Sequence, residues 1–225
     1  NTITTVEFTG TTEPTCDSSV FTSSVTEVKV PIGYTSSDFC GKIPRSDGNC
    51  GIDCTFEYFH NTDKIEITGG TMTDFTETTQ PEWQPQMKQI KNVTVTTTSN
   101  IGSNAFNGAV LLNSVTLHET MTTIGDNAFN GCEKLTTISL YDKLTTIRQN
   151  AFTGCTGITN LVIPTGVTTI EKEAFSGMTG LQSITFPNTV TKDSAADMFT
   201  DSGKSSITLT ISGEGSMQDY DNSEY

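Results

Sequence analysis

The sequence predicts an α/β solenoid. It is read as a right-handed coil of repeats about 23 residues long, with a parallel β-sheet on the concave wall and short strands or helical turns on the convex side. Three observations predict it. One phrase occurs four times, as NAFNGA at 104–109, NAFNGC at 127–132, NAFTGC at 150–155 and EAFSGM at 173–178. Its phenylalanines, Phe106, Phe129, Phe152 and Phe175, follow one another at steps of 23 residues. Between the phrases the apolar positions keep the same spacing: Leu112, Val115, Leu117, Met121 and Ile124 are echoed by Leu135, Ile138, Leu140, Leu144 and Ile147, then by Ile158, Leu161, Ile163, Val167 and Ile170. A fixed period of this length is the signature of units that stack only on their neighbours.

Within a repeat, each part has its own reason. The L-x-x-I-x-L segment alternates with period two, so it reads as a short strand with one face in the core. Stacked copies would lie about 4.8 Å apart and form a parallel sheet. The Met121, Leu144, Val167 column and the Ile124, Ile147, Ile170 column then cross a second wall. Asn104, Asn127 and Asn150 stand where a side-chain oxygen could cap a brief helix carrying Ala-Phe. Gly108, Gly131, Gly154 and Gly177 would end that helix in a left-handed turn.

The chain divides into four parts. Residues 1–48 hold two degenerate coils, marked by Ile3, Val6, Phe8 and by Val25, Val28, Val30, with Phe21 in the place of the repeated phenylalanine. Residues 49–89 break the period. There, two alternating strands around Asn61-Thr62-Asp63 predict a β-hairpin, and Gly69-Gly70 and TETTQPEWQPQ follow. This segment is expected to act as a cap-like module over the open core edge, with Trp83, the single tryptophan, as a plug against the first coil. Residues 90–206 make five coils; the last strays after Val190 and places Phe199 at a 24-residue step from Phe175. Residues 207–225 echo 64–75 and predict the start of a second cap-like module or a capping strand.

Composition narrows the function. The net charge of −14 argues against nucleic acid and anionic membranes as partners. No stretch approaches the roughly 20 apolar residues of a membrane span, so no membrane insertion is expected. Acidic side chains concentrate in residues 1–89, which carry 13 of them against 5 basic ones. No secretory signal stands at Asn1, so the chain is expected to be a monomeric fragment of a longer one.

Six cysteines fall into two groups. Cys132 and Cys155 occupy one repeat position, filled by Ala109 and Met178 in the flanking coils, and read as buried thiols acting as small hydrophobes. Cys16, Cys40, Cys50 and Cys54 allow three pairings, of which Cys16–Cys40 and Cys50–Cys54 are favoured. The first pair lies about one coil apart and the second closes a small loop. Zinc is the alternative, but only His60 is near and the spacing fits no zinc motif. Disulfides would place the chain in an oxidising, extracellular setting.

Catalytic patterns are missing from the sequence. His60 and His118 have no serine or cysteine partner in a recognisable arrangement, and no G-x-S-x-G, P-loop or H-E-x-x-H motif occurs. A glycosidase would need two carboxylates facing a cleft, and the expected sheet face has none. No enzyme activity, metal or cofactor is expected.

These repeats resemble the BspA-like leucine-rich-repeat family, also called the Treponema pallidum-type repeats. The resemblance rests on the pattern L-x-x-I-x-L-P-x-x-L-T-x-I-G-x-x-A-F-x-x-C, met by 112–132, 135–155 and 158–178, with Pro164 and Pro187 in the proline position. It covers 90–200 firmly and the remainder loosely. It implies a cell-surface or secreted protein that adheres to host proteins and cells, and it brings no catalytic residues.

A ligand would meet the outward side chains of the parallel sheet. These include Thr94, Thr96, Thr116, His118, Ser139, Tyr141, Val162 and Thr185, all uncharged, which suits a host extracellular protein or a glycan. The competing reading is a structural spacer or antigenic stalk whose small Ser and Thr residues merely fit a curved sheet. Asn92-Val93-Thr94 is an N-glycosylation sequon, and sugar on Asn92 would obstruct part of this face.

Overall fold

The computed structural model describes residues 5–12, 25, 27–31, 33, 34, 36, 39, 44–190, 198, 199 and 208–212. Cys16, Cys40, Phe21 and most of 207–225 lie outside the described residues. The strands in chain order are β1 (Thr5–Glu7), β2 (Glu27–Lys29), β3 (Pro44–Phe59), β4 (Lys64–Met72), β5 (Asn92–Val95), β6 (Asn100–Ile101) and β7 (Ser114–Thr116). They continue as β8 (Thr123–Ile124), β9 (Thr137–Ser139), β10 (Thr146–Ile147), β11 (Asn160–Val162), β12 (Thr169–Ile170), β13 (Ser183–Pro187) and β14 (Thr208–Ser212).

Two walls result. A seven-stranded sheet runs β1-β2-β3-β4-β5-β7-β9, and the second wall is the four-stranded sheet β12-β10-β8-β6. Ladders between coils are parallel, and register advances by one repeat: Thr123, Thr146 and Thr169 align, as do Ile124, Ile147 and Ile170. Threonines reinforce the stack, Thr145 Oγ1 donating to the Thr122 carbonyl at 3.1 Å and Thr122 Oγ1 to that of Ser99 at 2.9 Å.

Between the walls the repeated phenylalanines form one column. Phe106, Phe129, Phe152 and Phe175 are fully buried. Successive ring centroids are 5.7, 5.5 and 6.0 Å apart with planes within 15° of parallel, an offset-stack geometry. Trp83 closes one end, stacked on Phe106 at 5.6 Å with its indole N–H donating to the Ala105 carbonyl at 2.9 Å. Phe199 meets Phe175 at 5.7 Å at the other end.

The helical turns are a correction. Among the described residues there is no α-helix, and the one helical element is a single 3-10 turn at Gln84–Gln86. Asn104, Asn127 and Asn150 are not helix caps: their φ angles are 58°, 52° and 55°, in the left-handed region that Asn tolerates better than most residues. Each phrase is a run of turns whose alternate N–H groups reach the next coil. Asn127, Phe129 and Gly131 donate to the carbonyls of Gln149, Ala151 and Thr153 at 2.9, 2.9 and 2.8 Å. The residues between, such as Ala128 and Asn130, donate three residues back. A turn this short gains too little to nucleate a helix, whereas the inter-coil bonds repeat at every step of the stack. The fold is therefore a β-solenoid, not an α/β one.

The hairpin also differs from the expectation. β3 and β4 pair antiparallel around 60–63, but they lie inside the sheet: β3 pairs parallel with β2 and β4 parallel with β5. The segment splices the N-terminal strands onto the coils, and its Trp83 plugs the end of the phenylalanine column with Phe56 of the hairpin packed against it at 4.9 Å. Val25, Val28, Val30, Tyr34 and Phe39 form a separate small core with Val6 and Phe8 on the far side.

One break interrupts the main sheet. β11 pairs with β13, and β13 with β14, in a separate three-stranded sheet, and β11 does not pair with β9. No Cα of β9 comes within 8 Å of a Cα of β11. On the opposite wall the same two coils stay joined, through β10 and β12.

Candidate functional site: the outward face of the sheet

Register sets the composition of the face. Thr94, Thr116 and Ser139 stand side by side across β5, β7 and β9. Beyond the break, Val162 is level with Thr185 and Thr185 with Thr210. Period-two alternation puts Val93 and Val115 in the core and turns their neighbours outward. Thr96 lies next to Thr68, its hydroxyl 3.1 Å from that of Thr68 and donating to the Ile67 carbonyl at 3.2 Å. The structure thus brings Thr94, Thr116 and Ser139 together and leaves Val162 and Thr185 across the gap.

His118 and Tyr141 sit just beyond the strand ends in successive coils. His118 Nδ1 accepts from the Thr120 backbone N–H at 3.3 Å and lies 2.8 Å from the Thr120 hydroxyl, so its own turn orients the ring. Tyr141 is 38% and Val162 66% exposed, large values for side chains of this kind. Asn92, the sequon residue, is half-buried, and its Oδ1 accepts from Ser114 Oγ at 2.7 Å.

The face carries charge that the repeat pattern alone does not show. Because the hairpin belongs to the sheet, Glu57 and Glu66 continue the Thr94–Thr116–Ser139 row, and Lys64 continues the row of Asn92 and Ser114. Lys64 pairs with Glu66, and Arg45 lies 3.9 Å from Glu57 and over the Phe59 ring. The signal was available in the likeness of KIEIT at 64–68 to NVTVT at 92–96, which sets Lys64 and Glu66 at outward positions.

One serine–histidine pair also escaped the sequence. Ser46 Oγ is 2.7 Å from His60 Nε2, with the Tyr34 and Tyr58 rings edge-on to the imidazole. Burial pushes the His60 pKa down to about 4, partly countered by the Asp63 carboxylate. Ser46 is fully buried and cannot meet a substrate. Asp63 is engaged elsewhere, accepting from the Tyr58 hydroxyl at 2.9 Å and pairing with Lys91 at 2.8 Å. The pair holds the small core against the hairpin.

Cys50 and Cys54 are disulfide-bonded, with Cα atoms 5.1 Å apart. The thiols of Cys132 and Cys155 are free and buried, and they donate to the Phe106 and Phe129 carbonyls at 3.3 and 3.2 Å. Burial raises both pKa values, that of Cys155 to about 12.

Comparison with known proteins agrees with this geometry. The model of the BspA-type leucine-rich-repeat region matches residues 86–213 in six copies. A leucine-rich-repeat protein from Eubacterium ventriosum superposes with a TM-score of 0.57 at 23% identity over 65% of this chain. A leucine-rich cell-surface protein from Faecalibacterium prausnitzii gives 0.51 at 19% over 94%, and the pneumococcal vaccine antigen PcpA gives 0.50 at 20% over 85%. The chain spans 39%, 48% and 40% of the lengths of these three structures, respectively. No curated protein sequence matches it. Six copies of the repeat model over more than half the sequence, wound as stacked coils with one phenylalanine column, place the chain in the BspA-type leucine-rich-repeat family.

Proposed function

We propose that the chain is an extracellular binding module of an adhesin-like cell-surface protein, and that the outward face of its sheet recognises a host protein or a glycan. The observation that carries this reading is the registered row of Thr94, Thr116 and Ser139 bordered by exposed Tyr141. Hydroxyls in a row offer hydrogen bonds without strong charge, and an exposed aromatic ring supplies contact area at low entropic cost. The disulfide at Cys50–Cys54 and the cell-surface protein from Faecalibacterium prausnitzii with the same fold support a surface or secreted location.

A second reading is a spacer or antigenic stalk without its own ligand. It is favoured by the way outward polar groups satisfy one another: Ser114 on Asn92, Ser183 on Asn160 at 2.6 Å and Thr136 on Asn113. Binding of this fragment to a glycan array and to immobilised host matrix proteins separates the two. Saturable binding that weakens about tenfold or more in Tyr141→Ala or His118→Ala supports the module. No binding, or binding indifferent to both substitutions, supports the spacer.

A further inference from the structure

The break between β9 and β11 is a slot with defined ends. At one end Gly157 packs so closely that an added Cβ would lie 2.7 Å from the Leu135 carbonyl oxygen, and at the other a Cβ on Gly166 would strike the Asp142 carbonyl. Asp142 Oδ1 also accepts from the Thr165 N–H and hydroxyl at 3.2 and 2.9 Å. Between these pins, residues 136–141 and 159–164 part. No backbone hydrogen bond joins the two segments. The parted segments are six residues long, about 20 Å when extended, and β9 and β11 are three residues each within them.

Its walls are unlike any other place on the sheet. Ile138 and Leu140 are only partly buried, whereas their repeat mates Val115, Leu117, Leu161 and Ile163 are all at 3% exposure or less. The opening therefore has an apolar floor, with exposed Val162 and Tyr141 at its rim. Alternation along a parallel strand decides which backbone groups look into it. Ile163 N–H donates to the Thr185 carbonyl, so Leu161 and Ile163 face β13, and Asn160 and Val162 turn their N–H and C=O groups toward β9. Thr137 N–H points back to the Asn113 carbonyl, so Ile138 and Leu140 turn theirs toward β11.

We propose that this slot is a strand-acceptor site that takes one short, uncharged, extended polypeptide segment between β9 and β11. β9 and β11 lie more than 8 Å apart, beyond the ~4.8 Å of paired strands, and a strand seated between them would set them ~9.6 Å apart. Both edges offer backbone donors and acceptors to an extended chain, as in strand addition at a sheet edge. Charge selects the same occupant: TTISLY and TNLVIP are neutral, and charged residues occur only outside, at Glu133, Lys134, Asp142 and Lys143. An occupant alternating apolar and hydroxyl residues would set its apolar side chains on Ile138 and Leu140. This names the partner class for the face described above and rests on that reading; a glycan cannot supply the paired backbone groups.

The test uses a fluorescein-labelled peptide of alternating valine and threonine, about six residues long to match the opening, and the same peptide with alternate amides N-methylated. The expected result is saturable binding by anisotropy, at least about tenfold weaker for the methylated peptide. Amide exchange should slow on binding within 136–141 and 159–164. Val162→Pro removes an N–H that faces the slot and spares the bonds to β13, so it should weaken binding by a similar factor. Equal binding of both peptides, or no slowing in these segments, overturns the proposal, and neither readout depends on the variant folding. Capture of a host protein or glycan without peptide binding overturns the slot and leaves the wider binding reading standing. Peptide binding without any host ligand upholds the slot and removes the host partner.

Discussion

At the scale of single residues, backbone conformation is the sharpest constraint. Three of the four phrases put Asn in the left-handed turn, but the fourth puts Glu173 there, at φ 58°. A left-handed conformation costs most residues roughly 1–2 kcal/mol and Asn less. Glu173→Asn is therefore expected to stabilise the protein by about 1 kcal/mol, raising Tm by roughly 2–4 °C. The Lys172 contact it loses, at 3.3 Å and largely exposed, offsets only a few tenths. A Tm unchanged or lowered in calorimetry would show that the turn is not strained. His60 makes the second residue-scale prediction. Its folded pKa is depressed from 6.5 to about 4, so the unfolded chain binds a proton that the folded chain refuses as pH falls through the mid-range. Stability from this group is complete above 6.5, declines as pH drops toward 4, and changes no further below. Between pH 7 and 5, where carboxylates titrate little, the wild type should lose more Tm than His60→Gln. Equal slopes would mean the imidazole is not buried neutral.

At the scale of elements, what the sequence revealed depended on whether side chains or backbone carried the information. The strands of each repeat were legible because burial alternates with period two, and the phenylalanine column because one ring recurs every 23 residues. The turn runs were not. An Asn before Ala-Phe and a Gly after it suit a capped helix as well as a left-handed turn, and only inter-coil bonds such as Phe129 N–H to Ala151 distinguish them. The hairpin was seen as two strands but misplaced, because nothing local in residues 49–89 states that both of its edges pair with parallel neighbours. The slot left no trace at all. TTISLY and TNLVIP keep the repeat's pattern, and nothing local in either marks the separation of β9 from β11. Of the site, the hydroxyl row was legible and its charged extension through Glu66 and Glu57 was missed with the hairpin.

At the scale of the whole molecule, stacking makes the coils one cooperative body. The largest core runs unbroken from Cys50 on the hairpin to Met198, through Trp83 and every repeated phenylalanine. Phe152→Ala removes a fully buried ring three stacking steps away from Trp83 and is expected to cost about 3–5 kcal/mol. Trp83 is the single tryptophan, so its fluorescence reports the hairpin end alone. In urea, the fluorescence and far-ultraviolet dichroism midpoints should move down together in this variant. A fluorescence midpoint left in place would divide the solenoid into independent units. It would also place the slot between separable bodies.

The solenoid depends on turns that pair coil to coil. Hydrogen-bond scalar couplings between amide nitrogen and carbonyl carbon, measured by NMR on deuterated protein, read those pairs directly. The structure predicts couplings from Phe106 to Ala128, Phe129 to Ala151 and Phe152 to Ala174, each one coil onward. Couplings confined within each phrase, running four residues back as in a helix, would contradict it.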